Sequence, residues 1–160
     1  MKDLYKGVCF THSELVERAV KWLYGYGCGF AVGEKVCCTI SGEIPDAIGF
    51  KGNQSILIEC KTSRADFLAD FKKDFRKFPD RGMGNMRLYL CEEGVIKSEE
   101  LPSNWGLLYI KGKRIKKVVF PKGNMIPLNF WFEKSYEDEH SLLYSCLRVK
   151  KRIKMKQQTN

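Results

Sequence analysis

The alternation of apolar and polar positions predicts three helices. Apolar side chains recur every three or four positions from Thr11 or Ser13 onward, and Gly25 ends this first helix. The same spacing covers 63–78 and 135–153, which indicates two further amphipathic helices. In the second helix we expect one aromatic stripe to pack in the core: Phe67, Phe71, Phe75 and Phe78.

Apolar runs of strand length fill much of the remaining chain and predict a β-sheet. The runs cover residues 30–40, 44–50, 55–60, 86–92, 106–112 and 115–121. Residues 51–54, Lys-Gly-Asn-Gln, are typical of a tight turn, so the second and third runs are expected to pair as an antiparallel hairpin. A second hairpin is expected to turn at Gly112 and Lys113. This order of elements predicts the α/β class, with a central mixed β-sheet flanked by helices.

Length and composition indicate one globular domain that stays in the cytoplasm. Of the 160 residues, 44% are hydrophobic and 29% are charged. No apolar run approaches the ~18 residues that a membrane span requires, and the N-terminal segment has no secretory h-region. We therefore expect a cytoplasmic protein without a membrane partner. Residues 1–147 are interpreted as a single domain and 148–160 as a basic C-terminal tail.

The seven cysteines are odd in number and form no CxxC motif. We interpret them as reduced thiols, because several lie within apolar runs, where cysteine behaves as a small hydrophobic residue. The alternative is a zinc or iron–sulfur site that uses Cys28, Cys37 and Cys38. Their spacing gives that alternative little support.

The net charge of +9 is concentrated in two segments. The tail 148–160 contains six lysines and arginines and no acid, and the segment 111–122 contains six more without an acid. Such surfaces favour a polyanionic partner, and nucleic acid is the obvious candidate. A tail that only increases solubility is the alternative.

The predicted hairpin brings three charged side chains together. If the pairing is centred on residues 51–54, Asp46 falls near Glu59, and the alternation of side chains along a strand directs Glu59 and Lys61 to one face. Two carboxylates at the end of a sheet form a hard-oxygen site suited to Mg²⁺ or Mn²⁺. Lys61 is then placed to orient an attacking water and to offset charge on a phosphate. This set predicts phosphodiester hydrolysis. The alternative is a solvated sheet edge at which Lys61 pairs with one of the acids.

The same residues carry a resemblance to a known family. The Pro-Asp pair that ends at Asp46 and the Glu-Cys-Lys of 59–61 resemble the signature of the PD-(D/E)xK nuclease superfamily. Residues 58–78 and 101–110 are similar to its MmcB-like branch of DNA-repair-associated and phage proteins, and the likeness covers roughly residues 11–120. The resemblance implies a restriction-endonuclease-like core. It also implies an Mg²⁺- or Mn²⁺-dependent deoxyribonuclease that acts in DNA repair or between phage and host.

The resemblance assigns roles to individual positions. The implied metal ligands and catalytic lysine are Asp46, Glu59, the backbone carbonyl of Cys60, and Lys61. A glutamate from the first helix often joins such a site. We expect Glu14, and Glu17, one turn later on the same helix, is the alternative. His12 precedes this helix and is interpreted as a structural residue.

DNA is the predicted partner, and RNA is an alternative substrate. A homodimer is also an alternative, because nucleases of this fold often act as dimers. The residues expected to contact nucleic acid are Arg64, Lys72, Lys73, Arg76, Arg81, Arg87, Lys113 and Arg114. The alternative function is a catalytically inactive, nuclease-like protein that binds DNA or a partner protein. A third class, a protein-binding adaptor, predicts no salt-sensitive affinity for DNA.

Overall fold

The structure is a computed structural model that describes residues 9–34, 37 and 39–158. Within these residues, six strands form one sheet in the order of the sequence. The strands are β1 Phe30–Gly33, β2 Ala47–Lys51, β3 Gln54–Lys61, β4 Met86–Glu92, β5 Gly106–Lys111 and β6 Arg114–Val119. The α-helices are α1 His12–Gly25, α2 Arg64–Asp70, α3 Asp74–Lys77 and α4 Tyr136–Gln158.

The sheet is mixed. Strands β1, β2 and β3 form an antiparallel meander, β3 to β5 run parallel, and β6 returns antiparallel at the edge. Helix α1 packs in the apolar cluster on one face, whereas α2 and α4 contribute Phe67 and Leu142 to the cluster on the other face. The predicted α/β class, with a central mixed sheet flanked by helices, is confirmed.

Helix α1 forms because its start is capped and one face is apolar. The hydroxyl of Thr11 accepts the Glu14 N–H, and the carboxylate of Glu14 accepts the Thr11 N–H, which completes a capping box. Burial of the apolar face against the sheet supplies most of the stability of such a helix. The first predicted helix is confirmed, and its buried residues are Leu15, Val16, Ala19 and Leu23.

The hairpin of β2 and β3 is also confirmed. Lys51 pairs with Gln54 across a two-residue turn, and Gly52 has φ of 63°, in the left-handed region that favours glycine. Strand β3 is buried from Ser55 to Lys61. Because β3 lies inside the sheet with helices on both faces, charged residues at its end are removed from water.

The first predicted strand is shorter than expected, because β1 ends at Gly33 and Glu34 takes a left-handed φ of 43°. Cys28 lies in the apolar cluster on the α1 face, whereas Cys37 packs against the cluster on the opposite face. The sheet separates these two residues, so a metal site that uses both is wrong. Cys38 lies outside the described residues.

The single helix predicted over 63–78 is wrong, because α2 ends at Asp70 and α3 begins only at Asp74. Phe67 is buried, but Phe71 and Phe78 are 39% and 47% exposed, so these two residues do not extend the core stripe. The intervening turn contains neither glycine nor proline, so local helix propensity does not account for it.

Helix α4 continues through most of the segment interpreted as a tail. Leu142 is its deepest apolar contact, and every side chain described from Leu147 onward is exposed. The basic residues of 148–158 therefore lie on a helical extension about 16 Å long. Among the described helices, none combines the length and the apolar content that crossing a membrane would need.

Candidate active site at the ends of β2 and β3

The register of the hairpin places two carboxylates opposite each other. Ala47 pairs with Ile58, so the preceding residue, Asp46, lies opposite Glu59. Asp46 itself precedes the ladder, and its carboxylate is close enough to Glu59 for its charge to raise the pKa of Glu59. The predicted alternation along β3 is confirmed as well, because Cys60 belongs to the cluster on the other face.

The backbone of Cys60 completes this corner. Its N–H donates to Asp46 Oδ2 at 2.8 Å. The Asp46 side chain therefore continues the hydrogen bonding between β2 and β3 one residue before β2 begins. In an antiparallel pair, the N–H and C=O of one residue face the same neighbouring strand. The carbonyl oxygen of Cys60 therefore faces the Asp46 side of β3.

Glu59 is buried among cations. Its side chain is 2% exposed, and its oxygens lie 3.3 Å from Lys61 Nζ and 3.1 Å from Arg76 Nη2. Lys73 Nζ is 3.7 Å away. Burial raises the pKa of Glu59 to about 7, against the opposing effect of Arg76 and with a further contribution from the Asp46 charge. Removal from water therefore outweighs the surrounding cations.

A second buried acid, Asp70, organises these cations, and no motif in the sequence marks it. Asp70 Oδ1 accepts from Lys61 at 3.3 Å and from Lys73 at 2.8 Å, and Oδ2 accepts from Arg76 Nε and Tyr89 Oη, each at 2.8 Å. Burial alone would raise the pKa of Asp70, but Arg76 and Lys61 outweigh it and hold that pKa below its ordinary value. The available signal was spacing, since Asp70 shares the buried face of α2 with Phe67, three residues earlier.

Glu43 extends the network away from the strand ends. Its carboxylate lies 2.7 Å from Arg76 Nη1 and accepts the Met83 N–H at 2.6 Å. Arg76 thus touches three buried acids, and its side chain is 6% exposed. Glu43 has no local sequence pattern that marks it, because its partner is 33 residues away.

Across the described residues, no group of three or more histidines, cysteines, aspartates and glutamates is arranged as a metal site. The oxygen donors at the ends of β2 and β3 are the carboxylates of Asp46 and Glu59 and the backbone carbonyl of Cys60. A cleft of about 450 Å³ lies beside α3 and the start of α4, lined in part by Ile40, Phe75 and Asp138, and it includes neither Asp46 nor Glu59. The candidate site is therefore an ionic corner of the sheet, set apart from that cleft.

The chain shares its fold with a solved structure. The SPO1766 protein of unknown function from Silicibacter pomeroyi matches it with a TM-score of 0.60 and 20% sequence identity, over 91% of this chain and 92% of that protein. No protein-family model matches the chain, and no curated protein matches it. At this identity, the likeness concerns the fold alone.

Among the described residues, neither glutamate of α1 contacts Asp46 or Glu59, so a ligand role for Glu14 or Glu17 stays a prediction. Glu14 accepts from the N–H and the hydroxyl of Thr11, each at 2.8 Å, and these hydrogen bonds lower its pKa. Glu17 is exposed and pairs with Lys21, four residues later on the helix. Local partners therefore hold both side chains.

His12 and Glu34 occupy the outer side of Asp46 instead. His12 Nε2 lies 3.3 Å from Asp46 Oδ1, and its Nδ1 lies 3.2 Å from Glu34 Oε1. The Glu34 N–H also donates to the Asp46 carbonyl, which is the contact that its left-handed φ permits. The positioning role of His12 was within reach of the sequence, since it lies at the start of the first helix.

The residues expected to contact nucleic acid fall into two groups. Arg87 is buried and the Arg76 side chain is only 6% exposed, which corrects the expectation for both. Arg87 donates to the carbonyls of Gly84, Pro79 and Glu133 and serves the fold. Arg64 is exposed but held bidentately by Glu100. The remaining residues lie on the surface: Lys72, Lys73, Arg81, Lys113 and Arg114.

A pair of variants separates the two roles considered for Glu14. We expect Glu14→Gln to cause a small loss of thermal stability and to leave the Mn²⁺ titration curve of the wild type unchanged. Thr11→Ala should lower the free energy of unfolding by about 1 kcal/mol, since it removes the cap itself. Calorimetric unfolding and Mn²⁺ titration measure both quantities. Loss of cation uptake in Glu14→Gln but not in Thr11→Ala would make Glu14 a ligand.

Proposed function

We propose that this protein is a metal-dependent nuclease that hydrolyses DNA phosphodiester bonds at Asp46, Glu59 and Lys61. The observation that supports it is the convergence at the ends of β2 and β3. There Asp46 lies opposite Glu59, and Lys61 Nζ is 3.3 Å from the Glu59 carboxylate. This is the arrangement that the resemblance to the PD-(D/E)xK superfamily implies, and a restriction-endonuclease-like core belongs to the same proposal.

The donor set fits a hard divalent cation. Asp46, Glu59 and the Cys60 carbonyl provide only oxygen atoms, which Mg²⁺ and Mn²⁺ prefer. An ionised carboxylate has about four lone-pair positions. Glu59 accepts from Lys61 and lies 3.1 Å from Arg76 Nη2 without a hydrogen bond, so positions remain for a cation. Its raised pKa indicates that further positive charge would stabilise the ionised form. When bound, such a cation supplies Lewis acidity that activates water and offsets charge on the phosphate.

Lys61 supplies a hydrogen-bond donor to the phosphate, which a bound cation cannot supply. Its ammonium group has three N–H donors, and the structure gives it two acceptors, Glu59 and Asp70. The third donor is available to a phosphoryl oxygen. Because the Lys61 side chain is 4% exposed, water screens its charge little, and its effect on a developing negative charge is large. His12 helps to fix the orientation of Asp46.

The basic surfaces support DNA as the substrate. The extension of α4 carries six of the positive charges, and the β5–β6 hairpin exposes Lys113 in its turn and Arg114 at the start of β6. Neutralised phosphates release counterions, so such a surface binds nucleic acid in a salt-dependent way with little sequence readout. Like charges three and four residues apart destabilise an isolated helix, and a polyanion relieves that repulsion.

Neutralising the α4 extension is expected to weaken the salt dependence of DNA binding. The variant replaces Arg148, Lys150, Lys151, Arg152, Lys154 and Lys156 by glutamine. The slope of log affinity against log salt should fall by about 0.9 for each phosphate that the variant no longer neutralises, hence by up to about 5. Fluorescence anisotropy with a labelled duplex at several salt concentrations measures it.

The control changes apolar residues of the same helix, Leu147, Val149 and Ile153, to glutamine, and it should keep the wild-type slope. Equal slopes for the wild type and the neutralised helix would show that the extension binds no phosphate.

The catalytic proposal is tested by incubating the purified protein with plasmid, linear and branched DNA in Mg²⁺ or Mn²⁺. We expect cleavage that Asp46→Ala and Lys61→Ala abolish, whereas Glu17→Gln, which changes a surface carboxylate, has no effect. An RNA of the same sequence tests the second substrate class. No cleavage of any substrate, or cleavage that survives in both alanine variants, contradicts the proposal.

One observation favours a second candidate, a nuclease-like protein that binds DNA without cleaving it. The side chains of Glu59 and Lys61 are 2% and 4% exposed, and the cations of this chain already surround Glu59. A site of this kind can be a purely structural ionic cluster. Such a protein would take up no Mn²⁺ in calorimetry while its DNA affinity still falls steeply with salt.

A further inference from the structure

The break between α2 and α3 lies where the local sequence favours a continuous helix. Residues 71–78 contain phenylalanine, lysine, arginine and aspartate, and the next residue that disfavours a helix is Pro79. Where the local helix preference of a segment is overridden, tertiary contacts determine its conformation, and such places are often functional sites. The contacts that decide it here are ionic.

The turn brings Lys73 against the buried acids. Lys73 Nζ lies 2.8 Å from Asp70 Oδ1 and 3.7 Å from Glu59 Oε2. Lys61 Nζ approaches the same two oxygens, each at 3.3 Å. Two ammonium groups, one from β3 and one from the turn after α2, therefore share two carboxylate oxygens and lie side by side.

The two lysines differ in exposure. The Lys61 side chain is 4% exposed and that of Arg76 is 6% exposed, whereas the Lys73 side chain is 43% exposed. Of the cations that the described residues place within 4 Å of Glu59, Lys73 is the one that reaches solvent. A group that enters the corner from solvent therefore meets Lys73 before it meets Lys61.

A purely structural role explains Lys73 poorly. Asp70 also accepts from Lys61, Arg76 and Tyr89, so it keeps three hydrogen-bond donors, two of them charged, without Lys73. A half-exposed ion pair adds little stability on its own. The position of Lys73 is therefore not needed to provide Asp70 with hydrogen-bond donors.

We infer that Lys73 is a phosphate-contacting residue that receives a phosphoryl oxygen of the nucleic acid beside Lys61, and that Asp70 is the residue that positions it. The inference deepens the proposed function and rests on it for the identity of the substrate. The chemistry of recognition is a charge-assisted hydrogen bond from an ammonium group to a phosphate oxygen. Asp70 keeps the lysine from turning fully into solvent.

The test compares Lys73→Met with Lys72→Met. Lys72 is the adjacent exposed lysine, and among the described residues it has no acidic partner within 4 Å, so both variants lose one surface charge from the same turn. The affinity for a labelled DNA duplex is measured by anisotropy without divalent cation, and the cleavage rate is measured in Mg²⁺. Lys73→Met is expected to weaken binding about tenfold or more beyond Lys72→Met. Lys73→Arg should restore part of the loss, and the unfolding temperature of Lys73→Met should stay close to that of the wild type.

The outcomes separate this inference from the proposed function. Equal affinities for the Lys73→Met and Lys72→Met proteins overturn the role of Lys73, whether or not the wild type cleaves DNA. Absence of cleavage by the wild type in both Mg²⁺ and Mn²⁺ overturns the nuclease, and the affinity comparison still decides the role of Lys73. Absence of DNA binding by the wild type overturns both.

Discussion

Replacing Lys61 by methionine is expected to reduce Mg²⁺-dependent DNA cleavage about 10²- to 10³-fold. The substitution keeps the length of the side chain and removes the buried ammonium group next to Glu59 and Asp70. The protein should stay folded, because Asp70 retains Lys73, Arg76 and Tyr89 and Glu59 retains Arg76. Steady-state cleavage assays should show the loss in kcat.

The matched control is Lys77→Met, which removes an exposed charge that pairs with Asp74 on the surface. It should leave kcat unchanged. If Lys61→Met cleaves as fast as the wild type while its unfolding is also unchanged, Lys61 has no part in the reaction. A rise in KM alone, with kcat intact, would limit Lys61 to substrate binding.

Replacing Arg76 by methionine is expected to lower the free energy of unfolding by about 3–5 kcal/mol. Arg76 lies 2.7–3.1 Å from the carboxylates of Glu43, Glu59 and Asp70, and all three acids are buried. Without the guanidinium group, Glu43 loses the basic partner that the structure gives it. Removing one member of such a cluster leaves uncompensated buried charge, which is why the expected loss exceeds that of a surface pair.

Lys77→Met is the control for Arg76→Met, because Lys77 lies one residue further along the same helix and pairs with Asp74 on the surface. Denaturant unfolding should give a value near that of the wild type for Lys77→Met. Added Mn²⁺ should recover part of the stability of Arg76→Met by mass action, since a bound cation supplies charge beside Glu59. Equal stability of both variants would show that the buried network contributes nothing.

The sequence was sufficient where local rules decide the structure. The Gly52 turn fixes the register of β2 and β3, and that register alone puts Asp46 opposite Glu59. The apolar spacing of α1 predicted its buried face in the same way. The pair at the centre of the proposal was therefore predictable from a turn type and the two-residue period of a strand.

The remainder of the site depends on contacts between distant segments. Glu43 contacts Arg76, and Tyr89 contacts Asp70, because α2 and α3 pack back against the sheet. No helix or strand periodicity in the sequence predicts these pairs. The expected single helix over 63–78 was wrong because α2 ends at Asp70. The charged residues Asp70, Lys73 and Arg76 of this segment form ion pairs with buried groups instead of facing solvent along one helix. The sequence could not separate the two roles considered for Glu14, because a carboxylate at this position can cap a helix or bind a metal.

The most direct measurement is a calorimetric titration of Mn²⁺ into the wild type, Asp46→Asn and Glu17→Gln. The two substitutions remove the same charge, one opposite Glu59 and one on the surface. Saturable cation uptake by the wild type and by Glu17→Gln, lost in Asp46→Asn, is the predicted result. Equal uptake by all three proteins, or none by the wild type, would contradict a cation site between Asp46 and Glu59.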